Sequence, residues 1–127
     1  MSFYKAVIDE LEKNNVGVFG DDLFLGSSPQ IKTAHLTVYN TGGNPPQKDQ
    51  TKNMTVQFIT KAEKYTDAED LILSADEVVR ERYHSFFGDY LVILMEARGE
   101  PGHIGTDENG KHMFSANYDA WIRKLNY

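Results

Sequence analysis

The sequence predicts an α+β fold: a single mixed or antiparallel sheet of about four to five strands with two main helices on one face, in the order α-β-β-β-α-β-β. Three observations predict it. An apolar stripe at helical spacing opens the chain, and a second one lies between Thr66 and Val79. Two long alternating runs, Tyr90 to Arg98 and His112 to Ile122, close it. No internal repeat and no linker composition divides residues 1–127, so one domain is expected.

The first helix is expected from Phe3 to about Asn14, with Ser2 as its cap. Tyr4, Val7, Ile8 and Leu11 make its apolar face, which leaves Glu10, Glu12 and Lys13 to solvent. Asn14 and Asn15, then Gly17 and Gly20, end it. Leu23 to Leu25 reads as a short strand between Gly20-Asp21-Asp22 and Gly26-Ser27-Ser28-Pro29. A better strand follows at Ala34 to Tyr39, with Leu36 and Val38 inward, and Met54 to Phe58 resumes alternation.

Between those two strands, Asn40 to Asn53 is polar and carries Pro45 and Pro46, neither of which can donate a ladder hydrogen bond. A long flexible loop over 40–53 is the expectation, and loops of that length in compact domains are functional or disordered. For the second helix, Thr66-Asp67-Ala68-Glu69 has the form of a capping box. Ala68, Leu71, Ile72, Ala75, Val78 and Val79 form its stripe; acids cluster at its start and Arg80, Arg82 and His84 at its end, with Gly88 closing the segment.

The run from Tyr90 to Arg98 is rich in branched apolar residues and too short to span a bilayer. An open loop with Pro101 and four glycines, Gly99 to Gly110, separates it from the last strand. There Phe114, Ala116, Tyr118, Ala120 and Ile122 share one face, while Ser115, Asn117, Asp119 and Trp121 share the other.

Composition narrows function by exclusion. A net charge of −6 argues against nonspecific binding to nucleic acid or to anionic membrane, both of which need clustered Lys and Arg. With no cysteine there is no disulfide scaffold and no thiolate metal site. The first ten residues are charged too early for a signal peptide, so synthesis inside the cell is expected.

Candidate chemistry is thin. Gly42-Gly43-Asn44-Pro45-Pro46 lacks the lysine and hydroxyl of a phosphate-binding loop. His103 and His112 flank one loop with Asp107 and Glu108, a conceivable metal cluster, although solvated loop histidines fit better. Asp21-Asp22 and Asp107-Glu108 are neighbours inside turns, where a carboxylate accepts local amide bonds, rather than acids facing each other across a cleft. Ser27, Ser28 and Ser85 have no glycine elbow, and Asn53-Met54-Thr55 matches a glycosylation acceptor by chance. Trp121 on the outward face of the last strand is either an interface anchor or an aromatic packed at the sheet edge.

Element order and two turns resemble the tail terminator, or tail completion, family of phage minor capsid proteins. Tyr39, Thr41, Gly42, Gly43, Pro45 and Pro46 carry the first turn; Gly105, Asp107, Glu108, Asn109 and Gly110 carry the second, with Lys111 where that family favours arginine. The resemblance implies a structural virion protein without catalysis or cofactor. It implies a homohexameric ring that caps the head-proximal end of the tail tube and receives the head connector, with DNA passing through without specific binding. Gly42, Gly43, Asn44, Pro45, Pro46, Lys48, Asp107, Glu108 and Lys111 are then the candidate partner-binding loop residues. Trp121, Arg123 and Tyr127 are the candidate subunit-interface residues. The rivals are a head-completion or stopper protein of the same junction, a small protein-binding module outside phages and, last, an enzyme.

Overall fold

The computed structural model describes residues 2–45 and 51–125. Helix α1 (Phe3–Lys13) begins where the sequence places it: Ser2 Oγ accepts from the Lys5 amide at 3.2 Å. Asn14 and then Asn15, in the left-handed region at φ 63°, turn the chain out of the helix. Its buried face is wider than the apolar stripe alone. Phe3 and Ala6 join it, and so does Glu10, which is buried rather than solvated and lies 3.9 Å from Arg82.

Strands β1 (Leu23–Leu25), β2 (His35–Gly43) and β3 (Thr51–Ala62) follow, then helix α2 (Tyr65–Val79) and strands β4 (Arg82–Phe87), β5 (Tyr90–Ala97), β6 (Gly102–Thr106) and β7 (His112–Lys124). The strands make one mixed sheet in the order β1-β2-β3-β7-β5-β4, with β6 also paired to β7. Only β1 and β2 run parallel. The α+β class and two helices on one face hold, but among the described residues the sheet has seven strands rather than four to five. Among these residues no helix is long and apolar enough to cross a membrane.

The extra strands lie where local signals pointed elsewhere. Helix α2 does not use the capping box: Lys64 is its N-cap, no side chain caps it, and Thr66 sits inside the first turn. It stops at Val79, so Arg82 and His84, read as its basic end, belong to edge strand β4. Pairing with β5 supplies the hydrogen bonds that favour strand over helix there. The loop between the late strands contains β6, short and mostly exposed. Within the expected loop over 40–53, residues 40–43 lie in β2 and 51–53 in β3, and residues 46–50 lie outside the described residues.

The core lies between the helices and the inward positions of the sheet. Phe114, Ala116, Tyr118, Ala120 and Ile122 of β7 are buried in strict alternation, as period two requires. They meet Val56 and Phe58 of β3, Val92 and Met95 of β5, and the apolar stripes of both helices. Phe58 and Tyr118 rings pack 5.0 Å apart at the centre. Burying each such aromatic contributes about 2–3 kcal/mol.

Candidate interaction surface

The sheet has a second face, and the helices leave it open. Register pairing carries each row of side chains across it. Tyr83 of β4 stands opposite Leu94 of β5, which stands opposite Trp121 of β7, which stands opposite Asn53 of β3. The next row runs Phe86, Leu91, Arg123 and Thr51. At the β4 end both rows are apolar. Tyr83 and Phe86 are 60% and 61% exposed, and Leu91, Leu94 and Trp121 are half-buried beside them. Such a contiguous apolar patch differs from single exposed apolar residues, which are ordinary on any protein.

Two irregularities shape this corner. The β4–β5 pairing skips His84, whose φ of 45° is left-handed, and the β5–β7 pairing skips Ile93. The β5–β7 register shifts at Ile93, a bulge that strengthens the local twist, while the β4–β5 pairs keep one register on both sides of His84. Tyr83, opposite Leu94, and Phe86, opposite Leu91, keep the same outward face on either side of His84, while Arg82 turns inward over the Phe87 ring and donates to the Val78 carbonyl.

Towards the middle the open face turns polar. Arg98 clamps Asp119 with two bonds of 2.8 Å, a bidentate pair that holds the guanidinium pKa up. At the far end the face is covered. Ser28 reaches His35, Phe24 packs edge-on against the same imidazole at 5.9 Å, and Gln30 bonds Asn109. Burial pushes the His35 pKa down; the Thr33 carbonyl opposes this, while Lys111 and Lys61 reinforce it.

The candidate residues fall into different settings. Trp121 joins the apolar patch and Arg123 lies exposed beside it. Asp107 builds its own turn, with Oδ1 accepting from the Asn109 and Lys111 amides at 2.9 Å each. Those amides hold its pKa below the usual carboxylate range, and Lys61 stands 3.7 Å away. Lys111 is buried at 8% exposure, whereas Glu108 is exposed. Gly42 and Gly43 finish β2, and Asn44 continues the hairpin through its amide to the Asn53 carbonyl. Pro45 is exposed after them; Pro46, Lys48 and Tyr127 lie outside the described residues. The described residues of the two turns lie at opposite ends of the β3–β7 pair.

His103 and His112 do meet, 3.3 Å apart, but their neighbours are the rings of Tyr65 and Phe114. Among the described residues no three His, Cys, Asp or Glu side chains gather to hold a metal. Sequence reasoning missed Tyr83 and Phe86 because it assigned them to the tail of the second helix. The aromatic run Tyr83-His84-Ser85-Phe86-Phe87, rich in strand formers, was the available signal.

Comparison with known proteins agrees with this architecture. Residues 10–123 match the sequence profile of the bacteriophage tail terminator protein family. No curated protein matches the chain. Among solved structures, a chain from the virion of a native gene transfer agent particle is similar, with a TM-score of 0.62 and 9% identity over 95% of this chain and 94% of that one. At such identity the likeness is one of fold. The extent of the profile match, which runs from within α1 to the end of β7, decides the family: the chain belongs to the bacteriophage tail terminators, structural proteins of the phage particle.

Proposed function

We propose that copies of this chain close head to tail into a ring, a hexamer, seated on the head-proximal end of the tail tube. The ring stops tube polymerisation and offers the head connector its docking surface, and DNA passes through it without specific binding. The observation that carries this reading is the apolar corner of the open sheet face, where Tyr83 and Phe86 stand exposed beside Leu91, Leu94 and Trp121. A ring subunit must bury one patch against a different patch of its neighbour. Helix packing has already used the other sheet face, so the open face is the large surface left for that contact. Aromatic anchors at its apolar corner suit a binding hot spot. The net charge of −6 fits a bore that does not hold phosphate.

Tails assembled in cells lacking this chain test the reading. Overlong tails without heads are expected in electron micrographs. Tails of normal length joined to heads would overturn it.

A further inference from the structure

The start of α1 meets the sheet beside the first residues of β3 and the last of β7, where the inward positions held by Lys52 and Lys124 are exposed. The result is a recess of about 420 Å³. Met54 and Tyr90 form its accessible apolar walls over the buried Phe3, Tyr4 and Ile122, Ser2 and Asn40 add polar surface, and Lys52 and Lys124 also line it. Its size matches sites that take a single large side chain or a small ligand.

The charges are unusual for this chain. Lys52 pairs in register with Ile122, which puts Lys124 at the diagonal position on the same face. Two lysines thus line one recess in a protein with a net charge of −6, and neither has a carboxylate partner among the described residues. Helix α1 points its positive end at the same spot, with no acidic residue in its first turn. Both lysines are exposed, so core packing does not require them. The apolar walls also bear on the choice of ligand. A nucleic-acid backbone would use the lysines and leave the walls unfilled, whereas a peptide side chain would use both.

We propose that this recess is a docking site for a protein partner, through a short segment with one large apolar side chain flanked by carboxylates. The apolar side chain packs against Met54 and Tyr90, and the carboxylates pair with Lys52 and Lys124. That the partner is a neighbouring virion protein rests on the reading above; the chemistry of the recess does not.

The test uses the whole chain, isotope-labelled, with the peptide acetyl-Gly-Asp-Phe-Asp-Gly-amide as probe. Amide shifts at Tyr4, Lys52, Met54 and Lys124 are expected to move together and saturate. Replacing both aspartates of the probe by asparagine, or its phenylalanine by alanine, should weaken binding about tenfold, as should the pair Lys52→Glu and Lys124→Glu, with binding falling as salt rises. Because these lysines are exposed, an unchanged melting temperature confirms that the variants fold. The idea fails if the peptide does not bind, if both asparagine and aspartate probes bind alike, or if a DNA oligonucleotide binds through the same lysines and the peptide does not. Light scattering on the same samples reports ring formation separately, so the recess and the ring can fail independently.

Discussion

The phenol of Tyr118 donates to Asp76 Oδ1 at 2.5 Å, joining the middle of β7 to the last turns of α2 inside the core. The other carboxylate oxygen of Asp76 takes the Arg80 Nε at 2.7 Å, and Arg80 also reaches Glu100 on the loop between β5 and β6. Burial, with the neighbouring carboxylate second, raises the Tyr118 pKa far above its ordinary value, so the phenol stays a donor at every pH the protein meets. This chain of bonds ties helix, sheet and loop into one register.

Tyr118→Phe tests that tie. It leaves the ring in place against Phe58 but deprives a buried carboxylate of one of its two partners, so the loss should be about 1–3 kcal/mol in urea denaturation. Asp76→Ala should cost a similar amount, and the double variant less than the sum of the two. Full additivity would mean that the bond does not couple the elements.

Assembly and stability should separate at the apolar corner. Tyr83→Ser with Phe86→Ser removes exposed rings, so the melting temperature should hardly move. Self-association by light scattering should fall by about tenfold or more if these rings anchor the subunit contact. Unchanged association would remove the corner from the interface.

Acid should weaken the fold through His35. Burial keeps its folded-state pKa below the unfolded value, so the neutral form is the folded one. As pH falls through about 6.5, the unfolded chain takes up a proton that the folded chain resists, and stability is lost. Denaturation midpoints at about pH 7.5 and about pH 5.5 should therefore differ in the parent, and by less in His35→Gln. An equal slope in both proteins would exclude His35 as a source of the change.

Gly43 should tolerate no side chain. A Cβ there would lie 2.3 Å from the Asn53 carbonyl oxygen, where backbone and not a flexible side chain blocks it. Gly43→Ala should destabilise the β2–β3 hairpin by about 1–3 kcal/mol and speed amide exchange at Asn44 and Met54. Normal exchange rates there would show that the hairpin can shift to make room.

What the sequence alone determined were features with a local cause. Ser2 caps α1 because a hydroxyl before an amphipathic run has no better partner than the open amides. The inward face of β7 follows from a period of two, which one residue of slippage would reverse. Asp107 folds its own turn because its oxygen reaches amides two and four residues on. Tertiary structure decided the rest. Arg82 to Phe87 has end-of-helix charge and strand-forming aromatics at once, and only an available β5 edge settles which applies. The Thr66 capping box loses because packing draws Tyr65 into the first turn, beside His103, His112 and Phe114. Neither the Tyr83–Leu94–Trp121 row nor the approach of Lys52 to Lys124 exists along the chain. Both arise from register between strands distant in sequence, which no local pattern encodes.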